Sequence, residues 1–169
     1  MNTTGVRLVS VWAAAALILV TALGVAQASP PTAASATFTQ TERTGFDIGF
    51  AGPNVIIEQT TVGSVSGDWS GTFEDSLRVV IHPNGKFTAQ NRITCACTVD
   101  GRSGDLELLV VNTGEPDSQG VPTFAGRAVI KDGTGQLAGL RGVFNVEGTV
   151  DLQSELSTTN LSGHIHLHP

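Results

Sequence analysis

Tyrosine is absent from this 169-residue chain, methionine occurs only as Met1, and charged residues make up just 14% of it. So little charge beside 20 glycines suits β structure with many turns better than a helical bundle. Basic residues are scarcest. Only Arg7 is charged before residue 29, and without that segment 8 basic residues face 15 acidic ones, a net charge of −7. Such a chain has no electrostatic footprint for nucleic acid and no basic face for an anionic membrane surface, so both partners are rejected. Cysteine is limited to Cys95 and Cys97, and the length is ample for a core that needs neither metal nor disulfide support. The one long apolar run is Leu8 to Ala26.

That run follows Arg7 and ends in Ala26-Gln27-Ala28, small residues at the spacing a signal peptidase reads, before Ser29-Pro30-Pro31. Residues 1–28 therefore read as the helix of a secretory signal peptide cleaved after Ala28. The rival reading is an uncleaved anchor, since the run is just long enough to span. Its alanine content and the Ala-x-Ala site favour cleavage, leaving a mature chain that is not membrane-spanning and is secreted or otherwise extracytoplasmic. No cysteine adjoins the site, which excludes a lipid-modified N-terminus. Residues 29–35 read as a disordered lead-in, and residues 36–168 as the folded domain.

From Ala36 onward the apolar pattern has period two, and no segment carries a helical period. Short strands are expected at Ala36–Thr41 and Val55–Val65. The next run sets Trp69, Gly71, Phe73, Leu77, Val79 and Ile81 on one face, with Asp75 the lone charge among them, so a bulge or bend is expected there. Pro83-Asn84-Gly85 signals a hairpin whose Asn-Gly pair suits a type I′ turn. Lys86–Val99 returns with Phe87, Ile93, Cys95, Cys97 and Val99 inward. Asp100-Gly101 makes a second such turn. Asp105–Val111 is apolar on both faces apart from Glu107, as expected of a strand covered on both sides. A polar loop, Asn112–Pro122, precedes a sixth strand carrying Phe124, Ala128 and Ile130 on one side. The seventh carries Phe144, Val146, Val150 and Leu152, and the last lies near Thr158–Leu167. Eight meandering strands with one apolar face each predict an all-β fold, a single eight-stranded antiparallel barrel, because closure removes the sheet edges.

Between the sixth and seventh strands lies Gly133-Thr134-Gly135-Gln136-Leu137-Ala138-Gly139-Leu140-Arg141-Gly142. Gly133, Gly135, Gly139 and Gly142 suit a sharp corner where backbone packs on backbone. This string resembles the GTG-x-[LF]-AG-x-RG signature of small barrels of the allene oxide cyclase and dirigent type. The resemblance extends to the bacterial branch named domain of unknown function 3224 (DUF3224). A glycine-rich early strand (Gly67-Asp68-Trp69-Ser70-Gly71), the pair Gly126-Arg127 and the corner recur there in this order. It covers roughly Thr37 to His166. What it implies is an allene oxide cyclase-like barrel and an apolar cavity. The plant relatives are a cyclase of fatty-acid epoxides and guides of phenoxyl coupling, and their catalytic residues have no counterparts in this sequence.

Several constellations invite chemistry. Gly133 to Ala138 fits the letters G-x-G-x-x-A of a dinucleotide fingerprint, but that needs a helix to follow, and Gly139 and Gly142 would each cost about 1 kcal/mol in one. A structural corner is the better reading, and no cofactor is expected. Cys95 and Cys97 lie two apart, so on a regular strand they point the same way with Cα atoms about 6.6 Å apart. Three readings stand: a disulfide that needs a local bulge, two buried free thiols, or a redox-active pair. His164 and His166 are candidate metal ligands on one face of the last strand, but no third ligand can be named, and the expected reading is a polar outer face with no metal site. No Ser-His-Asp or Cys-His arrangement is present, since His82 sits in a turn and the other histidines face outward. The inward polar residues are Asp75 and Asn91, the candidate catalytic pair. A carboxylate facing an apolar cavity would have a raised pKa and could move a proton. The competing and preferred reading is a bulge that turns Asp75 to solvent.

Three functions compete. The first is an exported module binding a small lipophilic molecule in a cavity lined by Trp69, Phe73, Phe87, Phe124 and Phe144. The second is an isomerase or cyclase using Asp75 and Asn91 in the same cavity. The third is a filled barrel serving as an envelope or partner-binding domain. The binder is preferred.

Overall fold

The structure is a computed structural model in which residues 30–168 are described. Eight antiparallel strands follow one another around a closed barrel, each paired with its sequence neighbours and the last with the first. They are β1 (Thr32–Ala51), β2 (Asn54–Gly67), β3 (Trp69–Ile81), β4 (Phe87–Val99), β5 (Arg102–Pro116), β6 (Pro122–Gly133), β7 (Leu140–Val150) and β8 (Ser157–Leu167). The eight-stranded barrel read from period-two alternation is therefore the fold observed. Residues 1–28, read as a signal peptide, lie outside the described residues.

Four expectations about the elements are corrected. First, residues 29–35 are not all lead-in. Thr32 to Ser35 pair with Ile165 to Ser162 of β8 and help close the barrel. The reason lies in the side chains: Ala34, Ala36 and Phe38 are all buried, so the alternation begins two residues earlier than the small residues suggest. Second, no bulge occurs at Asp75, where the pairing Thr61–Asp75–Ile93 is continuous. The irregularities fall in β1, between Gln40 and Glu42 and between Arg43 and Gly45, and at Glu107/Leu108 of β5. Third, the Asn112–Pro122 loop shrinks to residues 117–121, because β5 runs on to Pro116. Asp117 N–H donates to Val121 O (2.9 Å), and its Oδ1 accepts from Gln119 and Val121 N–H. Fourth, the Pro83-Asn84-Gly85 turn has positive φ only at Gly85 (81°). Proline holds φ negative at the first turn position, which rules out type I′; the loop closes by Gly85 N–H to His82 O (2.9 Å) instead. Asp100-Gly101, with φ of 51° and 74°, is the turn expected there.

Connections in such a meander alternate between the two ends. One end is packed shut. Trp69 meets Phe144 edge-on (centroids 5.3 Å) and Phe38 at 6.0 Å, and Phe38 contacts Phe73 at 5.2 Å. The glycine corner lies at this end. It forms a single 3-10 turn (Gly135–Leu137) that inserts Leu137, 1% exposed, into the core. Gly139 has φ of 78°, and a Cβ there would stand 2.1 Å from His168 O, so only glycine fits. Gly135 also has positive φ, while Gly133 and Gly142 have ordinary φ and tolerate close neighbours only for want of a side chain. β7 resumes at Leu140, and no helix follows to hold a pyrophosphate.

At the other end the barrel opens. β1 and β8 pair only from Thr32/Ile165 to Thr39/Thr158, after which β1 continues with β2 alone. Beyond Thr39 the seam is bridged by side chains. Ser157 N–H donates to Gln40 Oε1 (2.9 Å), and Arg43 pairs with Glu155 at 2.6 Å.

Candidate functional site: a lumen with one buried carboxyl

The open half of the barrel holds a cavity of about 590 Å³. Its walls are the inward faces of β2, β3 and β4, chiefly Ile57, Leu77, Val79 and Ile81, with Phe87 and Phe124 higher up and Phe38 and Phe73 at the base. Phe73, Phe87 and Phe124 of the expected lining are therefore in place. Trp69 and Phe144 are corrected: both are sealed in the closed half, 0% and 1% exposed, and line no part of this cavity. Alternation tells which residues point inward, but not how far along the barrel axis each one sits.

Asp75 belongs to the cross-strand row Thr61–Asp75–Ile93–Leu108–Ile130 and is 3% exposed. Its Oδ2 accepts from Asn91 Nδ2 (2.8 Å) and Gln40 Nε2 (3.2 Å). The amide of Gln40 is oriented by its other end, where Oε1 accepts the backbone N–H of Ser157. Asn91 Oδ1 in turn accepts from Asn112 Nδ2 at 3.4 Å. Asp75 Oδ1 has no partner among the described residues, and neither has the buried hydroxyl of Thr61 directly across the sheet. Burial pushes the Asp75 carboxyl up to about 6 from its ordinary value of 3.8, against the opposing pull of Asn91 and then Gln40.

The expected pair, Asp75 and Asn91, is thus brought together, and the preferred reading that Asp75 turns to solvent is overturned. Gln40 and Asn112 are the members that sequence reasoning missed. Gln40 continues the inward phase of Ala36 and Phe38, a usable signal. Asn112 falls within the expected loop, yet it continues the inward phase of Leu106, Leu108 and Val110. Arg43 guards the mouth, its guanidinium 4.5 Å above the Phe46 ring and paired with Glu155. Chemically, the arrangement offers one proton-exchanging carboxyl in an apolar chamber, with two amides holding one of its oxygens.

The other candidates lie elsewhere. Cys95 and Cys97 are buried in the closed half, their sulfurs in bonding contact across a Cα separation of 5.3 Å. No register shift accompanies them, so the expected bulge is absent. The strand is pinched instead, and the accommodation is made opposite: at Gly71 (φ 147°) a Cβ would meet Ala96 O at 2.1 Å. His164 is on the outer face and His166 is half-buried, and no cluster of three metal-ligating side chains occurs among the described residues.

No family model and no curated protein matches the chain. Among solved structures it is similar to a protein of unknown function of the DUF3224 family from Shewanella oneidensis MR-1, with a TM-score of 0.55 and 12% identity. That match covers 85% of this chain and 99% of the other. At such identity the likeness extends to the fold, and the barrel itself is what the two proteins have in common.

Proposed function

We propose that the protein is an exported barrel of the allene oxide cyclase-like type that binds one small lipophilic molecule in its open half. The observation carrying this reading is a chamber of about 590 Å³, within the range of small-molecule sites, with apolar walls and a few convergent polar groups at its base. A filled structural barrel would leave no such space. Export is supported by the Ala26-Gln27-Ala28 site and by a cysteine pair in bonding contact, which suits an oxidising compartment.

Trp69 is walled off from the chamber, so a reporter belongs at Phe87. In Phe87→Trp, fatty alcohols, fatty acids or terpenoids should blue-shift the emission and raise the melting temperature. Unchanged emission and melting across all three classes would return the barrel to a structural role.

A second reading, an isomerase or cyclase, is favoured by one observation: a carboxyl raised to about 6 can both give and take a proton near neutrality. Under it, Asp75→Asn abolishes turnover of a bound substrate while leaving its affinity within a few-fold. Equal loss of both would restrict Asp75 to binding.

A further inference from the structure

We infer that the tip of the β1–β2 hairpin docks the open end of the barrel on a lipid–water surface of uncharged or zwitterionic headgroups, from which the lumen is loaded. The docking goes beyond the ligand-binding reading above; the loading rests on that reading and names the source of the ligand.

The tip is marked in the sequence. Ile48-Gly49-Phe50-Ala51-Gly52-Pro53-Asn54-Val55-Ile56-Ile57 carries no charge, and Asp47 and Glu58 bound it. Register makes it apolar on both faces. Ile48 pairs with Ile57 and Phe50 with Val55 on the inward face, while Ile56 lies beside Val80 on the outward one. Folding leaves much of this surface in water. Phe50 is 76% exposed, the most of any large apolar side chain among the described residues, and Phe46, Ile48 and, across the mouth, Leu152 are about half exposed. Singly such residues mean little, but four around one opening form a patch. Phe46, Ile48 and Leu152 also line the cavity, so the patch and the cavity wall share residues.

Charge selects the kind of surface. The cations near the mouth are already engaged, Arg43 with Glu155, Arg78 with Glu58 and Lys86 with Glu115. Asp47, Asp117 and Asp151 take part in no ion pair among the described residues. The rim is therefore net negative, and anionic lipid would repel it. The free edge of β1 sets the depth. Beyond Thr39 the strand pairs with β2 alone, so the N–H and C=O groups on its other edge need water and hold the tip among the headgroups, clear of the hydrocarbon core. A second copy or another protein seated over this rim would stopper the lumen, whereas a lipid surface supplies the molecule the lumen takes.

The test uses the chain from Ser29 onward, which keeps all eight strands of the closed barrel and leaves out the apolar run Leu8 to Ala26, itself able to bind vesicles. Phosphatidylcholine vesicles should carry the protein upward in a flotation gradient, and vesicles enriched in phosphatidylglycerol should carry less of it. Phe50→Ser should lower the partition coefficient by about tenfold. Phe50 is exposed and lies outside the cavity wall, so the variant keeps its fold, and its uptake of the uncharged dye Nile red without vesicles should match the wild type. No flotation with phosphatidylcholine overturns the inference, and Nile red uptake by the same sample leaves the ligand-binding reading standing. Flotation that Phe50→Ser leaves unchanged, or that phosphatidylglycerol strengthens, overturns it too. So does a dimer that dissociates in Phe50→Ser, which would give the tip to a second copy. Flotation that depends on Phe50 without any uptake of Nile red removes the ligand-binding reading and the loading with it.

Discussion

At the scale of single residues, Asp75 does most to distinguish this barrel from a merely packed one. A carboxyl whose pKa rises from 3.8 to about 6 on folding holds its proton more tightly in the folded state. Its contribution to stability is therefore full below about pH 4 and is lost as pH rises through about 6, an effect of about 3 kcal/mol. Asp75→Asn removes the titrating group but keeps the shape, so the variant should gain on the wild type by up to about that amount between about pH 4 and pH 7. Paired urea titrations at the two pH values check it, and a constant difference would mean that Asp75 is not held in an apolar setting. Asp68 and Asp151 work in the opposite sense. Backbone N–H and hydroxyl donors, Ser35 for Asp68 and Gln153 with Ser154 for Asp151, hold these exposed carboxyls below their ordinary value. Their contribution is present above that value and lost as pH falls, which is why the comparison with Asp75→Asn, and not the raw profile, isolates Asp75.

At the scale of elements, the corner after β6 is a plug as well as a turn. Asp105 O accepts from Thr134 N–H (2.8 Å), Ser103 N–H donates to Gln136 Oε1 (3.0 Å), and His168 N–H donates to Gly139 O (2.8 Å). These bonds tie the corner to β5 and to the end of β8, and they set Leu137 into the closed end. Leu137→Ala should cost about 2–5 kcal/mol through the void it leaves, measured by chemical denaturation, while probe binding in the distant open half persists. Loss of ligand binding at unchanged stability would contradict this division of the barrel. The two hairpin turns carry the lesson about legibility at this scale. Asp100-Gly101 behaves as its dipeptide predicts, whereas Pro83 overrides the Asn84-Gly85 signal because one fixed φ excludes the whole turn class. Likewise β1 reaches 20 residues, half again its neighbours, because two bulges let it change phase without breaking. Bulges of this kind interrupt the alternation from which strand length is read.

At the scale of the whole molecule, one barrel serves two purposes along its axis. The half toward the glycine corner is filled by Trp69, Phe144, Leu106 and Leu137 and holds the fold together. The half toward the β7–β8 loop is left open, and the β1–β8 seam there is held by Arg43–Glu155 and Gln40–Ser157 instead of ladder bonds. The outward faces of β3 and β4 present Ser70, Thr72, Glu74, Ser76 and Arg78, and Thr88, Gln90, Arg92 and Thr94. The outward faces of β5, β6 and β7 differ, presenting Val111, Val129 and Val143 to solvent. No helix among the described residues is long and apolar enough to cross a membrane.

The amino-acid sequence by itself determined the strand count, the inward phase of nearly every strand and the corner at Gly133 to Gly142, and it set Asp75 and Asn91 in the inward phase without deciding that Asp75 stays there. These follow from period-two alternation and turn chemistry, which act over a few residues. Only the tertiary structure decided that Trp69 and Phe144 lie in the packed half and Phe87 and Phe124 in the open one. It alone brought Gln40 and Asn112 to the Asp75 cluster from strands distant in sequence. Position along the barrel axis depends on the register of all eight strands at once, and on bulges in β1, so no local pattern encodes it.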